Sequence, residues 1–147
     1  MSLEEMKKRV RQHIDLSWNK GRLALAEQLH SADFLYKSSF MGRPLDSVGF
    51  SRMVQEIRSA MPELEVVLEE CIAEGNKVVT WSTLIGTIEK PAFGYPPSDK
   101  VLSISAMAFW TITPNGEIQT ICTMFDMESF RAQQGLAIQA LEAKALP

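Results

Sequence analysis

Apolar residues recur every three to four positions at Leu3, Met6, Val10, Ile14 and Trp18, with charges between them, which predicts an amphipathic helix from Leu3 to about Asn19. Gly21 stands where it would stop, and a second short helical stretch runs from Leu23 to Leu29. Phe34-Leu35-Tyr36 is a brief extended piece, broken by Gly42 and Pro44. Asp46 or Ser47 can cap a third helix, whose Phe50, Met53, Val54 and Ile57 share one face before Pro62 ends it. The period then changes. Leu64 to Ile72, Lys77 to Ile88, Lys100 to Thr113 and Glu117 to Met127 are runs rich in Val, Ile, Thr, Trp and Phe, and predict four strands. Glu74-Gly75-Asn76 and Pro114-Asn115-Gly116 are short turn signals, so the strands they join should form antiparallel hairpins. The proline-stiffened loop from Pro91 to Pro97 is placed to form a rim over a cavity. Arg131 to Gln134 suits a helix, and the Ala-rich end from Ala137 to Ala145 predicts a loose terminal one.

Helices followed by a long antiparallel sheet predict an α+β domain with the helices gathered on one face of the sheet. A curled sheet closed in this way leaves an interior only partly filled by side chains, a common origin of a small-molecule pocket. With 147 residues, 46% hydrophobic and 22% charged, the chain suits one folded domain, set here as residues 1–136 with a tail over 137–147. Fifteen basic against 18 acidic residues, with no basic block, supply no phosphate-neutralising surface, so no nucleic-acid partner is expected. No apolar run reaches the roughly 18 residues of a membrane span, and the N-terminus lacks the pattern of a signal peptide, which predicts a cytoplasmic protein. Cys71 and Cys122 have neither zinc-ligand nor disulfide-framework spacing. His13 and His30 are expected as surface or satisfied-core histidines, so no metal is predicted.

Several short motifs occur in an order that resembles the SnoaL-like polyketide cyclase and ester cyclase family of the nuclear transport factor 2-like superfamily. They are Trp18-Asn19-Lys20-Gly21, Glu74 to Val79, Gly86-Thr87, Gly94 to Ser98, Asn115 to Ile118, and Phe125-Asp126 followed by Gln133-Gln134-Gly135. The resemblance covers about residues 5 to 136 and implies a cone-shaped α+β barrel. It also implies cofactor-free acid/base catalysis, an intramolecular aldol condensation or isomerisation of an aromatic or cyclic ketone, with Asp126 as the carboxylate that carries the proton. The alternative on the same fold is a non-catalytic binding or carrier protein. The chain departs from the family pattern where an Asp-His pair is replaced by Tyr36-Lys37, a His by Ile88, and a Glu and Trp by Thr120 and Cys122. Asp126 is the one carboxylate left among these positions.

Asp126 also stands just before Met127-Glu128-Ser129-Phe130, where Asp is a favoured helix N-cap, so a structural role weighs about equally with catalysis. By the two-residue period Thr120, Cys122, Met124 and Asp126 share one face, which lines the pocket if Asp126 does. On the preceding strand Ser103, Ser105, Met107 and Phe109 alternate with Leu102, Ile104, Ala106, Ala108 and Trp110, and either set can face inward. Expected ligand contacts are Trp18, Tyr36, Trp81, Met107, Phe109, Cys122 and Met124, with the Tyr36 phenol able to stabilise an enolate oxygen. The expected ligand is an apolar aromatic or cyclic molecule, to which eight methionines adapt well. Because both strand faces are largely apolar, the outer one is expected to be covered by a second copy in a homodimer.

Overall fold

A computed structural model describes residues 1–135; the predicted tail helix lies outside the described residues. Ser2 caps α1 (Leu3–Ile14) by accepting from Glu5 N at 3.1 Å, and the helix buries Met6, Val10, His13 and Ile14. The chain then widens into one π-helical stretch, Asp15–Asn19, with Lys20 N donating to Asp15 O at 2.9 Å. Next come α2 (Leu23–Glu27), β1 (His30–Ser38) and α3 (Ser47–Ala60), the last capped by Asp46, whose side chain accepts from Gly49 N at 2.8 Å. The remaining strands are β2 (Glu65–Glu74), β3 (Lys77–Gly86), β4 (Leu102–Ile112) and β5 (Ile118–Phe125), followed by helical residues 127–135.

The five strands form one curved sheet in the order β1-β5-β4-β3-β2. Neighbours among β2 to β5 are antiparallel, and β1 alone pairs in parallel, with β5. No ladder joins β1 to β2, so the sheet is an open cone, the curved sheet with N-terminal helices that the sequence predicts. The sequence pattern also understates β1, which spans nine residues where three were predicted; it pairs with β5 at His30 and again from Leu35 to Ser38, with a register shift between the two.

The Trp18-Asn19-Lys20-Gly21 motif has a mechanical role in this fold. Asn19 grips the edge strand β2 by accepting from Val66 N at 2.7 Å and donating to Val66 O at 3.0 Å. Arg58 of α3 donates to the carbonyls of Trp18 and Asn19. Gly21 turns with φ +64°, and a Cβ there would meet Arg58 Nε at 2.6 Å, so glycine is required. The π-helical turn, α3 and β2 are thereby tied together with the Trp18 ring directed inward.

Candidate functional site

Two adjoining chambers occupy the interior of the cone. The outer one, about 80 Å³, has a wholly apolar surface built from Trp18, Met61, Leu84, Ile88, Ile104, Phe125, Phe130 and the aromatic rim. The inner one, about 40 Å³, has Tyr36, Thr80, Ser82, Ala106, Ala108, Trp110 and Thr123 in its walls. Trp18, Leu84 and Phe125 belong to both chambers and form the constriction between them. A space of this size exceeds the ~10–15 Å³ that one water requires, so the inner chamber can take a carbonyl group or a water or two.

The inner chamber exists because small side chains face each other across a ladder. Thr80 pairs with Ala108 and Ser82 with Ala106, all four on the inward face. Thr80 Oγ1 accepts from Trp110 Nε1 at 2.9 Å, which satisfies the indole. Tyr36 is 2% exposed and its hydroxyl makes no hydrogen bond of good geometry. Burial pushes its pKa up, against a smaller downward pull from the nearby Thr123 and Ser38 hydroxyls. The phenol therefore stays protonated, with its hydroxyl enclosed beside those of Thr123 and Ser38.

The rim is formed where Phe40 meets Phe93 edge-on at 4.9 Å and Tyr95 meets Phe130 at 4.8 Å. Phe93 and Gly94 form a two-residue turn with φ values of 51° and 81°, closed by paired backbone bonds between Ala92 and Tyr95. A bulky residue in the left-handed region is sparsely populated and costs on the order of 1 kcal/mol, and here that conformation sets the Phe93 ring at the rim. Phe40, Phe93, Tyr95 and Met127 also line an outer groove of about 280 Å³ with Ser39 and Arg131, which places the mouth between them.

The strand faces are the reverse of those expected if Asp126 lined the pocket. On β5 the inward residues are Ile121, Thr123 and Phe125, while Cys122 and Met124 point out. Trp81 (44% exposed), Met107 (56%), Phe109 (59%) and Met124 (69%) all lie on the outer face, so of the seven expected ligand contacts Trp18 and Tyr36 line the cavity and these four and Cys122 do not. The physical reason is that Val78, Thr80, Ser82 and Leu84 take the inward side of β3, and the register carries that side across β4 to β5. Asp126 is exposed and accepts from Ser129 N at 3.0 Å as the cap of helical residues 127–135, although Phe125 and Met127 on either side of it both line the outer chamber. Ile88, at the position where the family commonly has a His, is part of the apolar wall. The sequence pattern does not single out the hydroxyls of Thr80, Ser82 and Thr123; the available signal was two small polar residues, Thr80 and Ser82, at every second position between Val78 and Leu84.

The two histidines meet. His13 Nε2 and His30 Nε2 are 2.7 Å apart in a buried contact, and His30 Nδ1 lies 2.8 Å from Ser47 Oγ. Burial lowers the His13 pKa to about 3, helped by His30, and burial lowers that of His30 to about 4. Among the described residues no three His, Cys, Asp or Glu side chains gather as metal ligands, and no helix is long and apolar enough to cross a membrane.

Comparison with known proteins gives a consistent picture. The sequence profile described as SnoaL-like polyketide cyclase matches residues 8–134. No curated protein sequence matches significantly. Among solved structures, AclR from Streptomyces galilaeus, described as a candidate hydroxylase, superposes with a TM-score of 0.79 at 18% identity, covering 91% of this chain and 98% of that one. A candidate polyketide cyclase from Acidithiobacillus ferrooxidans gives 0.76 at 21% identity, covering 93% and 99%. IdmH from Streptomyces antibioticus, also a candidate polyketide cyclase, gives 0.76 at 19% identity, covering 88% and 98%. At these identities the structural likeness speaks for the fold.

Proposed function

The chain belongs to the SnoaL-like polyketide cyclase family, and from that premise we propose that it binds an apolar, ring-bearing small molecule with its ketone oxygen on the Tyr36 hydroxyl. The observation that carries this reading is the fully buried, unpartnered phenol in the inner chamber behind an all-apolar outer one. A buried donor left unpaired costs free energy, and a carbonyl oxygen arriving through the Trp18–Leu84–Phe125 constriction would relieve that cost. The same hydrogen bond would strengthen as an enolate forms, which is how the pocket would serve an aldol condensation or isomerisation without a cofactor.

Whether a proton is moved turns on Asp126. Its place between Phe125 and Met127 favours a proton carrier at the mouth. The lack of any carboxylate or imidazole in the walls of either chamber, among the described residues, favours the binding or carrier alternative. Tyr36→Phe should weaken binding of a cyclic enone about tenfold and leave its hydrocarbon analogue unchanged, as measured by calorimetric titration. Equal affinities in wild type and variant would remove Tyr36 as the anchor. Deuterium exchange at the activated carbon of a bound β-keto ester then separates the two readings. Asn retains the helix cap, so an Asp126→Asn variant that folds normally but loses exchange identifies the base. Absent exchange in the wild type with ligand bound supports the carrier.

The outer face fits a homodimer. Trp81, Met107 and Met124 lie side by side across three strands, and Phe109 pairs with Cys122 in the next row, so large apolar side chains form one exposed patch. Met107→Asp should turn a sedimenting dimer into a monomer; a wild-type monomer at micromolar concentration would refute the pairing.

A further inference from the structure

Outside the cavity, the histidine pair continues to the surface through Ser47. Its hydroxyl is half-buried, His30 is 8% exposed, and His13 is fully enclosed, so the three residues run inward from solvent in one hydrogen-bonded line. The His30 ring is held flat against Phe34 at 3.6 Å with an interplanar angle of 1°. Ser47 opens α3, a helix of 14 residues, where the first-turn N–H groups have no partners within the helix. Asp46 takes the Gly49 N–H, while those of Ser47 and Val48 face the same end. Beside them is an open cleft of about 350 Å³ that includes Glu27, Asp46 and Val48 in its walls.

We propose that Ser47, His30 and His13 form an acyl-transfer site that hydrolyses small carboxylic esters or thioesters, separate from the ring-binding cavity. Ser47 Oγ attacks the carbonyl carbon while its proton passes to His30 Nδ1, and the carbonyl oxygen becomes an oxyanion at the α3 N-terminus. The leaving alcohol or thiol departs with the proton from His30. Water then attacks the acyl-serine, giving its proton to His30, and the acid is released as Ser47 takes that proton back. His13 is the positioning residue: with His30 Nε2–H donating to His13 Nε2, the Nδ1 lone pair is directed at the Ser47 hydroxyl. The carboxylates of Glu27 and Asp46 select acyl and leaving groups that are neutral or cationic.

The full chain should be treated with diisopropyl fluorophosphate and mapped by peptide mass spectrometry, alongside p-nitrophenyl acetate turnover. The expected result is a single adduct on Ser47, abolished in Ser47→Ala, and at least a hundredfold slower labelling in His30→Gln. His13→Gln should slow labelling at pH 7 by more than any loss of folded protein at that pH accounts for, an effect that a purely structural role would not produce. Should His30→Gln fail to fold, the folded Ser47→Ala variant still decides, since at pH 7 it must lose both the adduct and the turnover that the wild type shows. Labelling elsewhere, no labelling, or turnover that persists in folded Ser47→Ala overturns the site. None of these outcomes bears on ketone binding at Tyr36, because Ser47 lines neither chamber.

Discussion

Lowering the pH from 7 to 4 should cost the protein on the order of 3 kcal/mol of stability through His13 alone. The folded-state pKa of His13 is about 3, against an ordinary value of 6.5, because burial and the adjoining His30 both oppose the charge. The unfolded chain, freed of that burial, takes up its proton first. The contribution of His13 is therefore complete above pH 6.5, declines as the pH drops below that, and levels off near pH 3. His30, lowered to about 4, acts in the same direction over a narrower window. Urea midpoints at pH 7, 6, 5 and 4 measure the slope, and His13→Leu should flatten it to the share held by His30. An unchanged slope in that variant, or a flat wild-type curve, would mean that the pair does not govern acid stability.

Phe50→Ala should lose about 3–5 kcal/mol, the range for emptying a large core site. Phe50 is 1% exposed, and its ring meets those of Tyr36 at 4.9 Å, His13 at 5.5 Å, His30 at 6.0 Å, Phe34 at 6.1 Å and Trp18 at 6.3 Å. It is the point at which α3 packs on both the histidine pair and the residue that would anchor a ligand. Its removal should also loosen Tyr36, so ketone affinity should fall with stability. Calorimetric melting would show a drop of roughly 10 °C or more. A loss under about 1 kcal/mol would mean that the neighbouring rings close over the gap.

The three helices and the hairpins were legible because periodicity and turn chemistry are local signals. The beginning of β1 was not, since it is anchored by the pairing of His30 with Ile118, some ninety positions away, and the ladder shifts register before Leu35. The inward face was also hidden: Met107 and Phe109 on one side of β4 are as apolar as Ile104 and Trp110 on the other, so alternation carried no sign. Tyr36 and Trp18 line the cavity, but the same polar-tip argument also picked out Trp81, which lies on the outer face. The His13–His30 contact left no trace in the spacing, because it joins the end of α1 to the start of β1 only in the folded chain.

The parallel pairing of β1 with β5 also constrains the order of assembly. The β2–β3 and β4–β5 hairpins close over short turns and β3–β4 over the loop 87–101, but β1 must wait for β5, the last of the described strands to be made. On a growing chain β1 emerges early and finds its ladder partner only when residues 118–125 have left the ribosome. Joining two segments so far apart is the slow, entropically costly kind of contact, so docking of the N-terminal third belongs at the end of folding.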